Sequence, residues 1–429
     1  MPAILELDGP VPRHPFRAAD LIGKQTWATS ELALCHDNGN AAWDGNILAH
    51  LCSCVRAVKK TVSNIKAGSS LRIEVLDRQR AAAELADDVA DLAQRSLESN
   101  PFYEPDMLVP ALRLIDTEQP LTIICVRDAS RLLGLFVMQL GTVRKGVPIT
   151  VLRSWSHRYC FLSSSLLDGQ QGEAALAALA GWVESGRAPA AVLEFPQIHN
   201  QGPFARMLRE VLQTREGWVA DVVISQRAVL SRANLGAASI SGRHAKELRR
   251  LERRLGERGT LEFDELPADG DVGPWMDEFM ALEASGWKGR EGTAIGQSAT
   301  DRAFFADFAA TAHAARRLQC LALRLNGAAI AMKLNVFARD QGFTLKIAHD
   351  EAFAKFSPGV LLERFNERRF AQTASAYTCM DSCAIEGHPM IERLWPDRRQ
   401  IAAVTLAGRG MAARAFVALR ARVHARRSA

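Results

Sequence analysis

Hydrophobic and polar positions follow two periods along this chain, and the periods alternate. From Leu71 to Leu76 apolar and polar residues change place one by one, as in a strand. Ala81–Leu97 carries apolar residues at helical spacing and is stopped near Asn100-Pro101. Leu121–Val126 and Leu132–Leu140 read as strands joined by a turn at Asp128–Arg131, Glu173–Val183 as a helix, and Ala191–Phe195 as a short buried strand. A helix runs from Pro203 to Leu212, and Trp218–Ile224 is another strand. The order then repeats. Ala245–Leu255 is a helix, Thr260–Glu265 a strand, and Trp275–Ala284 and Arg302–Ala315 are helices. Leu318–Leu325 and Ala328–Phe337 are strands around an Asn326-Gly327 turn, a strong hairpin signal. Phe343–Ala348 is a strand, a helix begins at Pro358 and reaches Phe370, and Tyr377–Met380 and Gln400–Leu406 are further strands.

The pattern predicts a mixed α/β fold used twice. Leu193–Ile198 with Gly202-Pro203-Phe204, and Leu345–Asp350 with Ser357-Pro358-Gly359, both read as strand, polar loop and Gly/Pro helix start, their prolines 155 positions apart. The expected organisation is an extension over residues 1–68, a first domain over 69–232, a second over 233–408 and a basic segment over 409–429. Within the extension, a helix is expected from Ile47 to Ile65. Cys35, His36, His50, Cys52 and Cys54 form a loose cluster whose spacing matches no zinc finger or ribbon, so no metal site is expected.

The chain has 429 residues, ample for two cores. Its most apolar stretch, Leu318–Phe337, is interrupted by Arg324 and Lys333, and the N-terminus lacks a secretory pattern. A cytoplasmic protein with reduced cysteines is therefore expected. The net charge of +5 is unevenly spread: no acidic residue follows Asp397, and a second basic block runs from Arg243 to Arg258. Such asymmetry points to an anionic partner, a phosphate-bearing cofactor or a membrane surface on its inner face. Leu248, Leu251 and Leu255 form one stripe of the basic helix, with Arg249, Arg250, Arg253 and Arg254 opposite, either a solvated face or a phosphate contact. In Met411–Arg427 the apolar stripe is narrow (Phe416, Leu419, Val423), and interfacial binding is the expectation.

Candidate chemistry concentrates between Leu345 and Leu362. His349, Asp350 and Glu351 follow the end of a strand, and Ser357-Pro358-Gly359 opens a helix. Proline suits a first helical turn, glycine admits close approach, and a helix N-terminus offers unpaired N–H groups to an anion. Ser-Pro-Gly is also an ordinary helix start. Leu282–Ala294, Lys346–Glu351 and Phe356–Leu362 together resemble the GNAT-like family of CelD-type acetyltransferases, which is similar to the FemAB aminoacyl transferases with paired GNAT domains. The first half resembles it more weakly, through Asn100–Tyr103 and Leu152–Tyr159.

The resemblance implies tandem GNAT-like domains with mixed, mostly antiparallel sheets. It also implies an acyl-CoA co-substrate lying between two splayed strands, and direct attack by an amine on the thioester. By position, Ser357, Pro358, Gly359, Val360 and Leu361 would hold the CoA pyrophosphate. His349 stands where the family has Tyr, and is either a general base or a histidine bonded to a loop carbonyl. Asp350 and Glu351 flank it as carboxylate candidates. Glu283, Trp287 and Lys288 either orient and floor the acceptor or form a helix C-cap. Asp381 is a second carboxylate or a turn residue, and Asp381–Trp395 is a lid or rim. Trp155 and His157 line the cleft between domains or belong to the core. Phe204 stands where the second half has Gly359, so a degenerate first domain is expected. The implied activity is N-acylation of an amine, with a lipid amine such as the sphingoid bases of bacterial ceramide synthases as the finer candidate. The alternatives are a FemAB-like transferase using aminoacyl-tRNA, which the modest basic surface disfavours, and a non-catalytic accessory protein of polysaccharide synthesis.

Overall fold

The computed structural model describes residues 71–143, 147–213, 218–235, 242–373, 376–408 and 410–427. The cysteine and histidine cluster and the helix expected before residue 68 lie outside the described residues. The first half runs β1 (Leu71–Leu76), α1 (Arg78–Glu84), α2 (Ala86–Gln94), α3 (Pro105–Leu114), β2 (Leu121–Asp128), β3 (Arg131–Thr142) and β4 (Thr150–Ser154). It continues through β5 (Leu166–Leu167), α4 (Gly172–Glu184), β6 (Val192–His199), α5 (Pro203–Gln213) and β7 (Trp218–Ser231). The second half runs α6 (Gly242–Gly256), β8 (Leu261–Glu265), α7 (Val272–Ser285), α8 (Trp287–Arg290), α9 (Ala299–Ala314), β9 (Leu318–Leu325) and β10 (Ala328–Ala338). It ends with β11 (Gln341–His349), α10 (Pro358–Gln372), β12 (Cys379–Asp381), α11 (Ile391–Leu394), β13 (Asp397–Ala407) and α12 (Met411–Arg427).

Local sequence explains most boundaries. Asp77 caps α1 by accepting the Arg80 N–H at 2.8 Å. The helix expected over Ala81–Leu97 is two helices, because buried Leu85 both ends α1 and begins α2. Asn326 and Gly327 both take positive φ, 52° and 82°, as the tight turn between β9 and β10 requires.

All strands join one sheet in the order β1-β2-β3-β4-β6-β13-β7-β12-β11-β10-β9-β8, with β5 paired to β3. Each half contributes the same run, antiparallel except where β4 meets β6 and β11 meets β12 in parallel. The last strand of each half is exchanged: β7 pairs with β12, β13 pairs with β6, and β7 and β13 pair with each other. This order corrects the sequence-level alignment of the repeat. The counterpart of β11 is β4, so α10 corresponds to α4. The Gly202-Pro203-Phe204 start of α5 follows β6, the counterpart of β12.

The helices α1 to α3 and α7 with α9 share one core, in which Phe102, Tyr103, Trp155 and Tyr159 meet Phe304, Phe305 and Phe308. α4 and α5 cover the other face of the first half, and α6 and α10 that of the second, where Leu248, Leu251 and Leu255 are buried as the stripe predicts. α12 lays Ala413 and Val417 against Val192 and Ala220, with Phe416 packed alongside, and Arg420 reaches Glu194 at 2.5 Å. Part of the stripe expected to meet a membrane is thus turned into the protein, while Leu419 is exposed. No helix among the described residues is long and apolar enough to cross a membrane.

Candidate active site

The parallel contact of β11 with β12 lasts only from Gln341 to Phe343, where Cys379 to Asp381 end the partner strand. β11 runs on to His349, so its edge is open on that side within the sheet. On its other side the register with β10 skips one residue: Leu334 pairs with Lys346 and Asn335 with Thr344, leaving Leu345 as a bulge. A bulge bends its strand and re-aims the side chains that follow. Beyond it, Ile347 and His349 turn toward α10, whereas Lys346 turns toward α7. The wedge therefore opens onto two differently furnished faces.

On the α10 face, Ser357 takes the left-handed conformation (φ 54°) and gives no side-chain cap to the helix. The Val360 and Leu361 N–H groups turn back to the Ser357 carbonyl at 3.0 and 3.1 Å. Among the described residues this leaves the Gly359 N–H as the unpaired donor of the turn, Pro358 having none. A Cβ at Gly359 would stand 3.7 Å from Met390 Sδ and 3.9 Å from His349 Nδ1. The loop after Asp381 thus covers this helix start as a rim, and exposed His349 stands beside it. Next to it opens a cleft of about 440 Å³, lined by His244, Glu247, Arg250 and Arg254 of α6 with Lys355 and Arg393.

The helix starts of the first half are furnished differently. At α4, Asp168 Oδ1 accepts the Gln170 and Gln171 N–H groups at 2.8 Å, and its other oxygen meets Arg95. At α5, Glu98 Oε2 accepts the Phe204 N–H at 3.0 Å, and a Cβ at Gly202 would lie 2.4 Å from that oxygen. Each of these anion-attracting turns is filled by a carboxylate of the protein itself.

On the α7 face the centre is Glu283, buried in the last turn of α7. Its Oε1 accepts from Lys288 Nζ at 2.6 Å and lies 3.7 Å from Lys346 Nζ, and its Oε2 accepts the Ile295 N–H at 2.9 Å. Burial raises the proton affinity of this carboxyl, but Lys346 and Lys288 outweigh burial and hold it below the usual range. The intervening loop depends on Gly289, where a Cβ would fall 1.7 Å from the Ala284 carbonyl oxygen. Glu351 holds α8 in place by accepting the Trp287 N–H at 2.7 Å and pairing with Arg290 at 2.8 Å. Asp350 accepts the Ala352 N–H at 2.8 Å and starts the turn that follows β11. Trp287 stays 38% exposed at the rim, with Lys288 Nζ 5.9 Å from its ring centre.

Glu283, Trp287, Lys288, His349, Glu351 and the α10 start are thus gathered around one strand end, on both its faces. Asp381, Trp155 and His157 stand elsewhere. Asp381 is fully buried at the junction of the halves, 3.3 Å from His199 Nε2 and 3.2 Å from Arg399. Burial alone would raise its pKa, but His199, Arg227 and Arg399 hold its carboxyl well below the usual range. Trp155 and His157 are core residues, with ring centres 4.8 Å apart, and do not line an open cleft. Burial, with Arg158 and Arg78 nearby, drives His157 down to about 3, so it stays neutral. Tyr159, grouped with Trp155 and His157 in the sequence, is likewise buried, and sequence reasoning assigned no role to Lys346 or Asp301. Lys346 Nζ lies 5.1 Å from the Tyr159 ring centre, and Asp301 is paired with Arg158. The available signal was a lysine inside an otherwise apolar strand.

Residues 242–365 match the acetyltransferase (GNAT) domain family. No curated protein matches the chain. Among solved structures it is similar to FemX, at 9% identity over 73% of this chain and 95% of that one, with a TM-score of 0.48. It is also similar to a conserved protein of unknown function from Bacteroides thetaiotaomicron (12% identity, 75% and 97% covered, TM-score 0.49). A third is a tandem GNAT protein from the clavulanic acid biosynthesis pathway (13% identity, 79% and 99% covered, TM-score 0.39). The match thus falls on the second half, over residues 242–365, and because the first half repeats the same strand order, the chain is a tandem α/β protein.

Proposed function

We propose that the protein is an N-acyltransferase that moves an acyl group from acyl-CoA to a primary amine. The observation that carries this reading is the contrast between helix starts. Those of α4 and α5 are filled by Asp168 and Glu98, whereas among the described residues no carboxylate is bonded to that of α10, and it faces a cleft lined by Arg250, Arg254, Lys355 and Arg393, with Glu247 as the acidic member. Such a turn favours the phosphates of a nucleotide carrier. The thioester arm would lie along the open edge of β11, and a backbone N–H beside the bulge would stabilise the oxyanion. The amine would enter from the Glu283 face. Exposed Trp287 at that rim supports an amphiphilic amine, for which a sphingoid base is a suitable probe. The first half then serves as a wall without a ligand of its own.

Thermal-shift measurements with acetyl-CoA, palmitoyl-CoA and deacylated tRNA test the donor. A carrier present at 100 times its Kd stabilises by about 2.7 kcal/mol. Stabilisation by the CoA thioesters is expected. Stabilisation by tRNA alone would overturn the donor assignment in favour of aminoacyl transfer, and no shift with any of them would overturn the enzymatic reading.

A further inference from the structure

We propose that Lys346 is the general base that takes a proton from the ammonium group of the acceptor amine, an inference that rests on the N-acyltransferase reading above. Lys346 directly follows the bulge residue Leu345, beside the edge that β12 leaves open. Its side chain leaves the sheet on the face opposite α10, so donor phosphates and acceptor would approach the strand from different sides. Its Nζ lies 3.7 Å from Glu283 Oε1, an ion-pair distance and not a hydrogen bond. The same oxygen is held at 2.6 Å by Lys288. The Lys346 side chain as a whole is 18% exposed.

The charged groups that face Lys346 are Glu283 on α7, Lys288 on α8, Asp301 on α9, and Arg158 beside Tyr159. Burial and then Lys288 press the ammonium toward its neutral form, to about 8, against the opposing pull of Glu283 and Asp301. A base works best when its pKa lies near the working pH, and buried lysines reach that range readily. Glu283 moves the opposite way, since two cations hold it ionised and weaken it as a proton acceptor. The carboxylate thus tunes and places the lysine.

In the reaction, neutral Lys346 accepts one proton from R–NH3+, which leaves R–NH2. The amine lone pair forms the N–C bond at the thioester carbonyl. Collapse of the tetrahedral species breaks the C–S bond, and the CoA thiolate leaves with the electron pair and receives the second proton from nitrogen. Lys346 returns its proton to solvent, so the products are the amide, CoA thiol and one proton.

Two measurements test this. The first is trace acetylation of the full-length protein with acetic anhydride from about pH 6 to about pH 11, a range that brackets lysine titration, read peptide by peptide by mass spectrometry. Lys346 is expected to titrate near 8, Lys288→Met to raise its midpoint and Glu283→Gln to lower it. A Lys346 that titrates with the exposed lysines, or that ignores both substitutions, overturns the proposal. The second is CoA release from palmitoyl-CoA with sphinganine as acceptor. Lys346→Met and Lys346→Arg are each expected to lower kcat by about 100-fold, because arginine keeps the charge but cannot act as a base. An active wild type with an equally active Lys346→Arg variant overturns the base and leaves the N-acyltransferase reading intact. A wild type that turns over no thioester overturns both.

Discussion

A single side chain can carry a cost that depends on pH, and Glu104 is placed to do so. It is buried at the start of α3, with Oε1 unpartnered among the described residues and Oε2 against Arg317. Burial raises its pKa from 4.5 to about 7, with Asp106 adding to the rise and Arg317 opposing it. The folded state therefore binds more protons than the unfolded chain between those two values. This favourable contribution is complete below 4.5 and is lost as pH rises through about 7. Glu104→Gln removes the titration, and Arg317 keeps its pairing with Asp106. The variant is expected to gain on the order of 3 kcal/mol over the wild type well above neutrality and little in mild acid, since one pKa unit corresponds to about 1.4 kcal/mol. Thermal melts of both proteins across this range check it. Equal melting temperatures at all pH values would show that Glu104 is ionised at no cost.

At the scale of the element, α6 and α10 form the cleft in which donor phosphates are proposed to sit. Arg250 is ion-paired with Glu247 at 2.5 Å, yet it lines the cleft together with Arg254, Lys355 and Arg393. A paired double change, Arg250→Glu with Arg254→Glu, is expected to raise KM for acyl-CoA by about 10-fold or more while leaving kcat nearly intact, because these groups bind ground state and transition state alike. The effect should shrink as salt is added. An unchanged KM would remove α6 from the site. The basic face of α6 and its buried leucines were legible in the sequence, since period and charge sort onto opposite sides of one helix. The strand–loop–helix around His349 was equally legible. The partner of α10 in the first half was not, because local pattern cannot tell which strand a helix follows in the sheet. Strand order assigns it to α4, where Asp168 and Arg95 come together from positions far apart in sequence. Lys346 was hidden for a similar reason: its bulge and its neighbours Glu283 and Tyr159 exist only once β11 is paired and α7 is packed.

At the scale of the molecule, the exchange of β7 and β13 makes the repeat inseparable in space although it is separable along the chain. Residues 69–232 taken alone would expose the β6 edge that β13 covers and would leave β7 without β12 and β13. Residues 233–408 alone would leave β12 and β13 without β7. The break would also split the core shared by α3 and α9, and the buried chain in which His199 lies 3.4 Å from Glu98 and 3.3 Å from Asp381. Unpaired inner strands with apolar faces invite aggregation. Each half produced alone is therefore expected to be insoluble or swapped. The two halves produced together, one of them tagged, should purify as an equimolar complex that unfolds in one transition. If either half alone ran as a monomer in size exclusion with a sharp melt of its own, the exchanged strands would be an accessory to folding. Failure of both would make the central pairing of β7 with β13 the element on which the two halves, and the wedge between β11 and β12, depend.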